Sequence, residues 1–208
     1  MNAGIFYDHN SANLLITSNF SKWKKNITLG IYPNTKFEKI DFSELAKFEF
    51  NGISFDEIDN VYFQTIKSVF DKHTLDYIAF HYTQVDLSAI MINVNHLVIG
   101  EKAYINLAAS SFKQLTEITF LSLKTFKGKV LHQFESVEQL VIWYEGRKVN
   151  EILPMFPNLK HLEINNGSLV ELDLATNRML ETLSLHRCMK LEKVILDPSI
   201  NLKKVVYY

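Results

Sequence analysis

The sequence has little cysteine, little glycine and almost no net charge, and each shortage excludes a class of protein. Cys188 is the one cysteine among 208 residues, which excludes an intramolecular disulfide framework and fits a reducing compartment. The seven glycines are scattered, and neither Gly-x-Gly-x-x-Gly nor Gly-Lys-Ser/Thr occurs, so no phosphate-binding loop is present. A net charge of −1 creates no overall field that would attract nucleic acid or anionic lipid.

Signals for secretion or membrane insertion are also missing. Residues 1–19 contain Asp8 and His9 and lack a basic start followed by an apolar core, so no secretory signal is visible. No apolar run approaches the roughly 18 residues that a membrane span needs. We therefore expect a cytoplasmic protein with no membrane partner.

The sequence does have a period of about 22 residues in its second half. An apolar motif of the form Leu-x-x-Leu-x-Leu recurs in near-constant steps, beginning at Val94, Leu115, Val137, Leu159, Leu180 and Leu202. Spacing this regular predicts a solenoid of stacked coils. The last two apolar residues of each motif alternate with another residue, which is typical of a half-buried strand. Strands from successive coils should therefore stack in parallel at about 4.8 Å.

The stretch from Leu153 to Leu169 resembles a leucine-rich repeat, with Leu159, Leu162 and Ile164 as its strand residues. The resemblance covers residues from about 74 to 208. It implies an α/β fold, a leucine-rich-repeat-like solenoid with one long parallel sheet.

One further position supports the resemblance in part. Cys188 stands where the family has Asn or Cys after the strand, whereas Glu145 and Gly167 occupy that position in two earlier coils. These departures predict an irregular solenoid.

The return side of the coils is expected to be partly extended. Apolar triplets recur about 11 residues after the main motifs, at Leu169, Leu172, Leu174 and at Leu191, Val194, Leu196. Further upstream, Tyr104–Leu107 reads as extended and Val149–Leu153 as a short helical turn. The end of the solenoid is thus predicted to contain two sheets back to back.

The N-terminal third is less periodic. Ser54-x-x-Glu57 has the form of a capping box, and the apolar residues after it fall at helical spacing. This pattern predicts one helix on the convex side, over about 55–72. Residues 1–40 are expected to form an N-terminal cap with a strand from Asn26 to Tyr32, because a solenoid end exposes apolar core. No linker interrupts the chain, so we expect a single domain over 1–208, with the solenoid over 41–208.

Four histidines fall on outward positions of the predicted strands and are candidate metal ligands: His81, His96, His161 and His186. His96 and His161 are three coils apart, roughly 14 Å, and His161 and His186 are roughly 13 Å apart along the strand direction. Zinc needs all its ligands about 2 Å from one point. We therefore expect no metal and no cofactor.

Two other chemistries remain as alternatives. Cys188 and His186 lie two residues apart and could form a nucleophile and base, which would make the protein a cysteine-dependent enzyme. The repeat register instead turns Cys188 inward, where a thiol is inert. Lysines surround an aromatic residue at Lys22–Lys25, a pattern that can follow a nucleic-acid backbone. In a nearly neutral chain we interpret it as solvated surface and expect no nucleic-acid partner.

The outward strand positions provide the strongest functional indication, because several carry apolar side chains that should face water. An exposed apolar patch with a polar rim is typical of a protein interface. The alternatives are that the cap covers this patch or that the register slips. We predict protein-binding residues at Val98, Leu121, Val141, Trp143, Glu117, His161, Glu163 and His186.

These observations favour a protein-binding module without catalysis. A small cytoplasmic repeat protein of this kind resembles bacterial immunity proteins, which neutralise a toxin by binding it. The resemblance rests on size, compartment and the lack of catalytic motifs, and fold alone does not establish function. A generic adaptor or scaffold is the second hypothesis, and a cysteine-dependent enzyme is the third.

Overall fold

The structure is a computed structural model, and it describes part of the chain. The described residues are 6–8, 13–15, 28–31, 51–57, 63, 74–88, 91–145 and 148–208. For the first three of these segments only the course of the backbone is described.

The described residues form sixteen strands. They are β1 (Phe6–Asp8), β2 (Asn13–Leu15), β3 (Thr28–Ile31), β4 (Gly52–Asp56), β5 (Leu75–His81), β6 (Gln84–Asp86), β7 (Val94–Ile99), β8 (Tyr104–Ala108), β9 (Glu117–Phe120), β10 (Lys129–Leu131), β11 (Gln139–Ile142), β12 (His161–Asn165), β13 (Glu171–Asp173), β14 (Thr182–His186), β15 (Lys193–Ile195) and β16 (Lys204–Tyr207).

Nine of these strands form one long sheet, in the order β16-β14-β12-β11-β9-β7-β5-β4-β3. Every neighbouring pair in it is parallel. The six strands predicted from the repeated motif are adjacent and in sequence order, as expected. The predicted core residues of these strands are buried: Leu97, Leu140, Leu162 and Leu183. The prediction of a repeat solenoid is confirmed in this form, a parallel β-solenoid.

The return side is also extended, which confirms the second register seen in the sequence. β10, β8 and β6 form a parallel three-stranded sheet, and β13 pairs in parallel with β15. The one α-helix with both ends among the described residues is α1 (Val149–Ile152), which continues into a 3-10 turn over Leu153–Met155. The fold is therefore mostly β, and the expected α/β class is supported only loosely because strands occupy most return segments.

An aromatic stack at one corner explains the 22-residue recurrence of phenylalanine. The ring centroids of Phe112 and Phe134 lie 6.4 Å apart, and those of Phe134 and Phe156 lie 5.8 Å apart. Asn177 takes the corresponding place in the next coil, where its buried Nδ2 donates to the carbonyl oxygens of Leu153 and Phe156 at 3.1 and 2.9 Å. Stacked rings and a satisfied amide hold successive coils in register.

The predicted helix over 55–72 is wrong at its start. Ser54 and Phe55 lie within β4, and Glu57 has a left-handed φ of 51°, so the proposed capping box is not a helix cap. Packing overrides the local signal, because the Phe55 ring stacks on Phe80 at 5.3 Å. Phe63, the described residue within the rest of this range, is helical and buried. Residues 58–62 and 64–72 of the predicted helix lie outside the described residues.

The predicted cap over 1–40 lies largely outside the described residues. Its expected strand, Asn26 to Tyr32, contains β3, which pairs in parallel with β4. The long sheet thus extends into the segment expected to be cap.

Candidate functional site

The outward face of the long sheet consists of the side chains that point away from the solenoid interior. The strand register arranges them in rows that cross the sheet. The first row contains Tyr77, His96, Glu117, Gln139, His161, Thr182 and Lys204. The middle row contains Ala79, Val98, Thr119, Val141, Glu163, Ser184 and Val206.

A third row forms where the strands end. Asn165 and His186 are direct partners in it. Leu121 and Trp143 follow β9 and β11, and their backbone N–H groups donate to Ile99 and Phe120 at 2.8 and 2.9 Å, which continues the parallel ladder. The structure therefore brings the predicted residues Leu121 and Trp143 together on neighbouring coils.

The four apolar residues predicted for binding differ in exposure. Trp143 is 45% exposed, whereas Val141 is only 9% exposed and Val98 and Leu121 are half-buried. Ala79 and Thr119 of the middle row are also buried. Because side chains in neighbouring coils stand about 4.8 Å apart, they shield one another. The accessible apolar surface is thus smaller than the sequence indicates, and Trp143 contributes most of it among these four.

Among the predicted polar residues, Glu117 lies next to a half-buried histidine. His96 Nε2 is 2.9 Å from Thr119 Oγ1 and 3.5 Å from Glu117 Oε1. Burial lowers the pKa of His96 below its ordinary value of 6.5, and the Glu117 carboxylate opposes that shift. His96 is therefore a half-buried ring within hydrogen-bond distance of Thr119.

The other outward histidines stand in separate surroundings. The His186 ring stacks on Tyr208, with the centroids 5.2 Å apart and the planes 16° apart. His81 lies over Gly100, whose missing side chain leaves room for the ring. His161 is exposed. Within the described ranges, no group of three His, Cys, Asp or Glu side chains could hold a metal ion.

A cavity of about 240 Å³ opens on the outward face across β11, β12 and β14. The predicted residues Val141, His161 and Glu163 line it. The prediction missed its other outward members, Gln139, Thr182 and Ser184. A contrast in size is the signal that could have found it: the short side chains of β14 stand beside Glu163 and His161 of β12.

The hydrogen bonds around this cavity orient its polar groups. Glu163 Oε1 accepts from Asn165 Nδ2 at 2.7 Å. Gln139 Nε2 donates to Glu117 Oε1 at 3.3 Å, so the carbonyl oxygen is the remaining end of the Gln139 amide. The two hydroxyl groups of β14 can donate or accept.

Alternating charges form a ladder beside the cavity, one residue before each strand. Lys160 Nζ is 2.7 Å from Glu138 Oε1, and Lys203 Nζ is 2.8 Å from Glu181 Oε1. The hydrogen bond from Lys203 holds the pKa of the Glu181 carboxyl below its ordinary range. Because these cations already have carboxylate partners in the ladder, they leave Glu163 without a cationic partner in the described part of the chain.

The candidate nucleophile and base are not brought together. Cys188 is fully buried, and its thiol lies 3.7 Å from the carbonyl oxygens of Ile164 and His186. Burial raises the pKa of the Cys188 thiol, and the buried carboxylate of Glu145 adds to that shift. The His186 ring lies on the outward face, stacked on Tyr208.

By its fold, the described chain is a parallel β-solenoid. Comparison with known proteins adds no family: no protein-family model matches the chain, and no curated protein or solved structure matches it. Among the described residues, no helix has the length and apolar character that crossing a membrane requires.

Proposed function

We propose that this solenoid is a protein-binding module that engages its partner through the outward face around Trp143. The observation that supports this proposal is the exposed Trp143 ring, which stands next to Leu121 and directly follows β11, one of the strands that line the cavity. Binding energy at protein interfaces concentrates in a few large side chains, among which tryptophan is enriched.

We further propose that the solenoid is of the leucine-rich-repeat type. The Leu-x-x-Leu-x-Leu motifs coincide with in-register parallel strands, and Cys188 is buried at the position where such repeats have Asn or Cys. Glu145, at the same position two coils earlier, accepts a hydrogen bond from the Ser168 backbone N–H and so links two coils.

The specific role that we propose is that of a cytoplasmic bacterial immunity protein, which neutralises a toxin by direct binding. A rigid stack of coils is suited to occluding a partner, because its exposed side chains are held in place before binding. Since no chemistry beyond binding is needed, this role also fits the buried, high-pKa thiol of Cys188.

The test is a capture experiment with the immobilised chain, followed by expression of the captured protein. We expect one stoichiometric partner whose expression stops bacterial growth, and we expect growth to recover when this chain is expressed with it. A set of several non-toxic partners would replace the immunity role with that of an adaptor. Absence of any Trp143-dependent partner would overturn the binding face itself.

A further inference from the structure

We propose that the cavity between β11, β12 and β14 is a receptor for an arginine side chain of the partner protein. This inference rests on the proposed function, because it names the chemistry by which the outward face would recognise a protein. The observation that supports this inference is the Glu163 carboxylate, which lines the cavity together with several other hydrogen-bond acceptors. Among the described residues, no cation lies beside it.

The size and position of the cavity suit a single side chain. It is an open depression of about 240 Å³ on the outward face, so a side chain can enter it from a docked partner. Val141, in the outward middle row, forms the apolar part of its floor, and the buried core residues Leu140 and Leu162 lie beneath it. An aliphatic stem can pack on such a floor while its charged head reaches polar groups.

The lining groups that remain available are hydrogen-bond acceptors, so the cavity favours a ligand with hydrogen-bond donors. Glu163 accepts from Asn165 through Oε1, which leaves Oε2 free to accept a bond from a ligand. The carbonyl end of Gln139 is likewise available, since its amide nitrogen donates to Glu117. Ser184 and Thr182 contribute hydroxyl oxygens. A ligand group with several N–H donors and no acceptor matches this set.

The negative charge of Glu163 favours a ligand with a positive charge. Lys160, in the neighbouring charge ladder, is 2.7 Å from Glu138 and therefore does not neutralise Glu163. Glu163 is half-buried, so an ionic hydrogen bond to it is less screened by solvent than one at the surface.

Between the two cationic side chains, the distribution of acceptors favours arginine. The acceptors come from three neighbouring strands of one sheet and so are spread over roughly 10 Å, two strand spacings. A planar guanidinium with five donors can reach several of them at once, whereas an ammonium is a compact point charge. The guanidinium plane can also stack against the His161 ring that lines the same cavity.

The test uses short peptides rather than the unidentified partner. Acetyl-Gly-Arg-Gly-amide, its lysine analogue and its citrulline analogue are titrated into the isotope-labelled 208-residue chain, and backbone amide shifts are followed by NMR. We expect saturable shifts at Glu163 and Ser184 with the arginine peptide. Citrulline keeps the shape but lacks the charge, so its binding should be at least about tenfold weaker.

Two matched variants assign the effect to the cavity. Glu163→Gln keeps the size of the side chain and the bond from Asn165, and it should weaken the arginine peptide by at least about tenfold. Glu192→Gln makes the same change of charge at an exposed position on the return side, and it should leave binding unchanged. Unchanged amide shifts at Leu97 and Phe80, which lie three and four strands from β12, verify that the Glu163→Gln variant is folded.

Several results would overturn the arginine receptor. They are equal binding of the citrulline or lysine peptide, equal losses in both variants, and peptide shifts located away from the cavity. The outcome is separable from that of the proposed function. A peptide failure combined with Trp143-dependent capture removes only the arginine site. A successful titration without any Trp143-dependent partner removes only the proposed protein partner of this face.

Discussion

Leu183 of β14 and Val205 of β16 are direct partners in the long sheet, yet one is 2% exposed and the other 58% exposed. Both occupy the inward row of the sheet. The difference arises because Leu183 has a coil on either side, whereas β16 is the edge strand in the described residues. Residues at the same motif position therefore contribute different amounts to the free energy of unfolding, depending on whether their coil is covered on both sides.

Truncating these two partners should show that the stability cost depends on burial and not on the motif position itself. Leu183→Ala should lower the free energy of unfolding by about 2–5 kcal/mol, because it removes buried methyl groups and leaves a cavity. Val205→Ala should cost less than about 1 kcal/mol, because most of its side chain is already in water. Urea unfolding of both variants measures the contrast. Equal costs would mean that Val205 is covered in solution.

Trp143→Ala should weaken partner binding by more than about 2 kcal/mol, as expected for a central aromatic anchor. Its thermal midpoint should stay nearly unchanged, because 45% of the side chain is exposed. Titration calorimetry and a thermal melt provide the two measurements.

Tyr144→Ala is the matched control for Trp143. The Tyr144 side chain is 46% exposed. It is as exposed as Trp143 and sits at the corner beyond β11, so its loss should leave affinity unchanged. Equal losses of affinity in the two variants would mean that the partner contacts the corner beyond β11 rather than the outward face.

Cys188→Ala should lower the free energy of unfolding by roughly 1–2 kcal/mol and leave binding intact, because a small buried side chain is lost from the core. Chemical denaturation and a binding titration check the two parts. Abolished activity in a folded Cys188→Ala variant would instead support the cysteine-dependent enzyme.

His96 should make folding stability depend on pH. Burial lowers its pKa in the folded state, so the unfolded chain takes up the proton first as the pH falls. This contribution to stability is complete above the ordinary pKa of 6.5 and is lost as the pH falls from there through the folded-state pKa. His96→Gln should therefore show a smaller loss of stability below that pH in urea unfolding. His161→Gln, at an exposed position, is the control and should retain the full loss.

Much of the architecture was predictable because the same short motif recurs in every coil of the repeat region. Each motif places apolar residues at the same strand positions, so the order of the strands from β7 to β16 and the burial of Leu97, Leu140 and Leu162 follow from spacing alone. The second register at Leu172 and Val194 likewise predicted the pairing of β13 with β15.

The prediction failed where one local signal opposed tertiary packing. Ser54 and Glu57 have the spacing of a helix cap, but Ile53 and Phe55 alternate as buried residues and pair with Ile78 and Phe80 of the next strand. The alternation and the cross-strand partners prevail, because burying two large side chains outweighs the about 1 kcal/mol of a capping bond.

The sequence by itself determined the coil length, the strand order and the rows of the core, since these depend on spacing within one repeat. Only the tertiary structure decided what the outward face offers to a partner. Val141 is nearly buried and Trp143 is open, although both were predicted as exposed on the same strand. The cavity beside Glu163 likewise depends on the short Ser184 side chain one coil away. The physical reason is that neighbours across coils stand about 4.8 Å apart in space while they are about a full repeat apart in sequence.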